Sequence, residues 1–130
     1  MAPSPAADDT GSAVVEFALV SALLAVLFLA VLQVGVALYV RNTLVAAAAE
    51  GARYGADADR TPADGVQRTR ELVAQSLSPS YAQDVTADYE VIGGLATVVV
   101  RVRAPLPLLG LVGPGGDLVV EGHALAELAP

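Results

Sequence analysis

A chain of 130 residues holds about one domain, which excludes a multidomain enzyme. Apolar residues make up 55% and charged residues only 16%, against roughly 25% charged in ordinary soluble chains, so the apolar excess points to a membrane segment. Fourteen acids against seven bases, all Arg, give a net charge of −7 and argue against a nucleic-acid binder; the lack of Cys excludes disulfides and zinc–thiolate sites, and the single His123 excludes a multi-histidine metal site.

Residues 1–11 (MAPSPAADDTG) have no hydrophobic periodicity and read as a disordered leader. Residues 17–40 carry no charge, and only Ser21, Gln33 and Gly35 interrupt the apolar run. At 1.5 Å per residue they make about 36 Å of helix, enough to cross a hydrocarbon core of roughly 30 Å. The run is too long for a signal-peptide core and follows an acidic rather than a basic segment, so it reads as a transmembrane helix. Beyond Arg41 the Ala-rich stretch to Gly55 predicts that the helix continues as a stalk, with Leu44, Ala48 and Ala52 on one side.

The sequence ADADRTP breaks this helix. Thr61, Pro62 and Asp64 predict the start of a second one, with Thr61 as N-cap, Pro62 at the first helical position and Asp64 closing a capping box. It is expected to run to about Leu77 with Val66, Val73 and Leu77 buried, before Ser78-Pro79 ends it. From Val85 the period changes to two: Val85, Ala87, Tyr89 and Val91 alternate with polar residues, as in a half-buried strand. Gly93-Gly94 is a two-residue hairpin signal. The strand after it places Val98, Val100 and Val102 on one face and Val99, Arg101 and Arg103 on the other. Residues 105–116 (PLPLLGLVGPGG) read as a loop, because Pro105 and Pro107 do not fit inside a paired strand. A last strand is expected from Leu118 to about Glu127. The fold class is therefore α+β: a long N-terminal transmembrane helix and stalk, then a short helix and a three-stranded antiparallel sheet.

Little in the chain suggests catalysis. Asp57-Ala-Asp59-Arg-Thr61 begins like a calcium loop, but Pro62 stands where that loop needs Gly and Arg68 where it needs Glu. Gly113-Pro-Gly-Gly116 lacks the Lys-Ser/Thr ending of a phosphate loop and reads as a turn. His123 beside Glu121 reads as a strand-surface histidine. Gly51-x-x-x-Gly55 has the spacing of a helix-dimer motif but lies beyond the apolar run, so lipid-phase packing does not apply to it. No catalytic residue is expected, nor a cofactor, a metal or a small-molecule substrate, and the chain is read as no enzyme.

The most informative residues stand just ahead of the apolar run. Gly11-Ser-Ala-Val-Val-Glu16-Phe17 resembles a type IVb prepilin processing site, with cleavage after the Gly and a Glu five residues beyond it. The stretch from Ala37 to Gly55 is similar to the TadE-like family, pseudopilins of the tight-adherence (Flp) pilus machinery. The resemblance covers Gly11 to Gly55 strongly and the strands only in general pattern, as a pilin-like fold. It implies that a membrane-embedded prepilin peptidase cuts between Gly11 and Ser12, and that the partners are other pilins and pseudopilins of the same system. It also implies that Glu16, beside Phe17, makes the assembly contact by meeting the free N-terminal amine of a neighbouring subunit. Unlike most such leaders, this one carries Asp8 and Asp9 rather than a base before the Gly.

Residues 1–11 are then a cleavable leader, 12–55 the membrane helix and stalk with a membrane core of about 17–40, and 56–130 a small extracytoplasmic domain. Arg41, Arg53 and Arg60 follow the apolar run and no base precedes it, so a count of positive charges alone places the domain in the cytoplasm. The resemblance implies the opposite orientation, single-pass in the cytoplasmic (inner) membrane, because the processing site requires Gly11 on the cytoplasmic side. Two other readings stay open: a membrane-anchored binding or adhesion module with no filament role, and an uncleaved regulatory membrane subunit. A simple anchored binder needs neither the cleavage site at Gly11 nor the acid at Glu16.

Overall fold

The structure is a computed structural model and describes residues 6–106 and 117–127. It divides into two compact units, the first ending at Gly35 and the second, the head, starting at Val36. One helix, α1 (Ala6–Ala56), runs through both. The remaining elements are α2 (Pro62–Ser76), a 3-10 turn over Pro79–Ala82, and the strands β1 (Asp84–Ile92), β2 (Leu95–Pro105) and β3 (Asp117–Leu125). The three strands form one antiparallel sheet in chain order.

In the first unit, α1 begins at Ala6, inside the segment that the sequence reads as disordered. The correction has a local cause. Alanine is the best helix former, and a helix already running through the apolar segment extends backward without a new nucleation step. From Asp9 to Leu32 every residue is exposed, including Phe17, Leu23 and Phe28.

In the head, the sequence pattern and the packing agree on most positions. Val40, Leu44, Ala47, Ala48, Ala52 and Ala56 of α1 recur at helical spacing and are buried against one face of the sheet. From α2 that core receives Val73, and from the strands Val85, Val98, Val100, Val102, Ala104 and Val120. The capping box at Thr61 is formed: the Thr61 N–H donates to Asp64 Oδ2 at 2.8 Å and the Asp64 N–H to Thr61 Oγ1 at 3.4 Å. Helix α2 stops at Ser76 with Leu77 as C-cap, and the Leu77 N–H donates to the Val73 carbonyl at 2.9 Å. Its fully covered stripe is Gly65, Thr69 and Val73, while Val66 and Leu77 are half-buried.

The hairpin forms where expected. Gly93 and Gly94 have φ of +59° and +81°, the two left-handed positions of a tight primed turn, and they pair Ile92 with Leu95. Expectation and structure part at three places. Tyr89 and Val91 lie on the face of Val85 but are exposed, at 58% and 76%, because the helical cover ends before the hairpin does. Pro105 is the last residue of β2 and pairs with Asp117, rather than lying in a loop. Strand β1 starts opposite Arg103, so Pro105 has a neighbour on one side only and its missing N–H breaks no ladder. Strand β3 ends at Leu125; beyond it the Ala126 N–H donates to the Ala96 carbonyl at 2.9 Å and the Glu127 N–H to the Ala56 carbonyl at 2.7 Å. The second bond caps an otherwise orphaned carbonyl at the end of α1. The expected loop and glycine turn over residues 107–116 lie outside the described residues.

Candidate functional site

Gly11, Ser12, Glu16 and Phe17 all stand on α1, and all are exposed. Four residues make about one helical turn, so Ser12 and Glu16 share a face, and the Ser12 hydroxyl faces Glu16 Oε1 at 3.5 Å. Phe17, next in the chain, lies about 100° further round and is 75% exposed. The bond between Gly11 and Ser12 is an ordinary helical peptide. A Cβ built on Gly11 would meet nothing within 4 Å, so the fold itself makes no demand for glycine there.

Glu16 is the last charged residue before Arg41. From Phe17 to Leu32 α1 offers an apolar surface that is exposed throughout, and Asp9–Ala56 is a helix long and apolar enough to cross a membrane. The cover changes at Val36, which is half-buried, followed by Val40 and Leu44, both buried. From there one side of α1 belongs to the core of the head, while Leu38 and Tyr39 remain exposed on the other.

The helix crossing inside the head rests on glycines. A Cβ on Gly51 would stand 1.8 Å from Thr69 Oγ1 and 2.7 Å from the Gly65 carbonyl oxygen. One on Gly55 would stand 3.0 Å from the Thr61 carbonyl oxygen, and one on Gly65 would stand 2.6 Å from the Gly51 carbonyl oxygen. The helix-dimer spacing of Gly51 and Gly55 is thus used within the chain, where α2 crosses α1 backbone to backbone. The close-packing logic of such motifs holds outside lipid as well. The sequence reading sets these residues aside, although the spacing itself was the signal.

The segment resembling the start of a calcium loop is closed on itself. Arg60 Nη1 lies 2.7 Å from Asp57 Oδ2, and its guanidinium stacks 3.6 Å from the centre of the Tyr54 ring. On the sheet face away from the helices, Arg101 is held by Glu90 and by Glu121, the latter at 2.7 Å, and these two carboxylates raise its pKa further above the ordinary arginine value. His123 stands 3.5 Å from Glu121 and is exposed, as expected of a strand-surface histidine. On the same face, between these partners, lies Val99, fully buried although no described helix belongs to that side of the sheet. Glu90 is opposite Thr97 and Arg101 opposite Thr86, so their ion pair spans the Asp88–Val99 pair between them. The aliphatic stem of Arg101 supplies apolar cover there.

Residues 11–53 match the model of a family described as TadE-like protein, the family that the motifs between Gly11 and Gly55 resemble. No curated protein and no solved structure matches the chain.

Proposed function

We propose that this chain is a minor pseudopilin of a tight-adherence (Flp, type IVb) pilus assembly or secretion system, freed of its leader by a prepilin peptidase that cuts after Gly11. The observation carrying this reading is the Gly11/Glu16 spacing directly ahead of an exposed apolar helix, within the segment that matches the TadE-like model.

Residues 17–35 make about 28 Å of uncharged helix interrupted only by Ser21, Gln33 and Gly35, close to the roughly 30 Å of a hydrocarbon core. Val36 to Val40 then sit at the outer boundary, with one side on the head. In this placement Gly11 lies on the cytoplasmic side, where the peptidase acts, and the head lies outside the cytoplasm. Glycine suits the cut because it leaves the helical conformation at little cost and lets a catalytic group approach the backbone. The site lies near the start of α1, where the first N–H groups have no helical partner, so few bonds are lost on opening it.

Cleavage turns Ser12 into a terminal ammonium. Among packed apolar helices an unpaired charge of either sign is costly, and pairing it with a carboxylate removes most of that cost. Glu16 is the one acid that residues 12–40 of a neighbouring copy can offer. The alternative, a membrane-anchored binding module, draws support from the hairpin that exposes Tyr89, Val91, Ile92 and Leu95.

Co-purification separates the two readings. Wild type, Glu16→Ala and Glu16→Gln are expressed in the host and crosslinked in its membranes. The pseudopilin reading expects association with pilins in wild type and its loss in both variants at equal membrane levels. Unchanged association in both variants would reduce Glu16 to an interfacial residue and favour the binding module.

A further inference from the structure

Most described glycines have a visible structural reason. At Gly51, Gly55, Gly65 and Gly122 the space of a Cβ is occupied by neighbouring atoms, and Gly93 and Gly94 need positive φ. Among the described residues only Gly11 and Gly35 have neither reason: both are helical, and a Cβ at either would meet nothing within 4 Å. Gly11 belongs to the processing site already proposed. Gly35 does not.

A glycine inside a helix raises local opening about fivefold over alanine, through the larger backbone freedom it regains. Gly35 occupies a particular place. It is the last residue of the first compact unit, and Val36, the next residue, is the first on α1 to join the head's core. Before it α1 is exposed from Asp9 to Leu32 and again at Val34, with Gln33 half-buried, whereas from Val36 on one side is held in the core of the head. It also stands at the outer end of the lipid-facing stretch, where water and headgroups can satisfy a backbone group that would be orphaned at mid-bilayer.

We propose that Gly35 is a hinge in α1, at which the membrane helix and the head change their relative orientation. A span tilts to match bilayer thickness, whereas a head bound to partners takes the orientation those partners impose. A weak point between them lets both be satisfied without unfolding either. This inference stands whether or not the leader is removed.

The test uses the full chain in lipid nanodiscs. The protein has no cysteine, so two introduced cysteines are the only labelling sites. Leu27→Cys with Ala46→Cys, both exposed, spans Gly35 at about 28 Å along a straight helix, and Val14→Cys with Leu27→Cys is a control pair within the first unit at about 20 Å. Spin-label distance distributions are expected to be broader across Gly35 than in the control. Gly35→Ala is expected to narrow the first and leave the second unchanged, and to slow amide exchange over residues 35–39 about fivefold. A distribution across Gly35 as narrow as the control overturns the hinge. So does a broad one that Gly35→Ala leaves unchanged.

Discussion

Gly122 of β3 rests on the backbone of Ala48 in α1: a Cβ there would stand 2.3 Å from the Ala48 carbonyl carbon and 2.4 Å from its oxygen. Just beyond the end of β3, the bond from the Glu127 N–H to the Ala56 carbonyl makes a second contact with α1. The small residues Ala48 on α1 and Gly122 on β3 allow the close approach at Gly122. The head is therefore assembled on the C-terminal part of α1.

Replacing this glycine tests the contact. Gly122→Ala should destabilise the head by about 1–3 kcal/mol, because neither backbone can yield as a flexible side chain would. For a head of roughly 100 residues each kcal/mol lowers the melting temperature by about 4–8 °C. Thermal unfolding of the full chain in detergent micelles, followed by far-ultraviolet circular dichroism, reads the loss. A melting temperature equal to that of wild type would show that the sheet does not close on α1 at this point.

What could be read from the sequence was whatever depends on neighbours along the chain. The apolar run, the Thr61–Asp64 capping box and the Gly93-Gly94 turn are each specified within a few residues, and all three are present. Close approaches depend on residues far apart. Nothing next to Gly122 in sequence announces Ala48, and nothing next to Gly51 announces Thr69. Alternation in β1 correctly put Val85 and Ala87 toward the helices, but it could not show that the cover ends before Tyr89. Of the candidate site, Gly11, Ser12, Glu16 and Phe17 could be identified by position, whereas the helical state of the Gly11–Ser12 peptide was not expected for a leader read as disordered.

The arginine on the outer face of the sheet makes a separate prediction. Arg101 pairs with Glu90 and Glu121, and its ion pair with Glu90 spans the fully buried Val99 in the register, so its aliphatic stem offers apolar cover there. The pairing is partly solvent-exposed, and screening by water leaves it little net worth. Arg101→Met keeps an apolar stem over Val99 and should cost little, whereas Arg101→Ala uncovers the valine and should cost more. Melting temperatures in the order wild type, Met, Ala are expected. Equal losses in the two variants would mean that charge alone accounts for the role of Arg101.

Orientation can be read with a reporter fused after Glu127 that is active only outside the cytoplasm. The proposed topology expects activity. Activity confined to a cytoplasmic reporter would mean that Arg41, Arg53 and Arg60 set the orientation, as the charge count alone implies.

If the chain is processed as a pilin-like protein, its mature N-terminus is Ser12. Intact-mass analysis of the protein from host membranes, with and without the prepilin peptidase, is the measurement. Processing after Gly11 predicts a chain beginning at Ser12 when the peptidase is present and one retaining residues 1–11 when it is absent. A chain that still carries its leader in the presence of an active peptidase would contradict it.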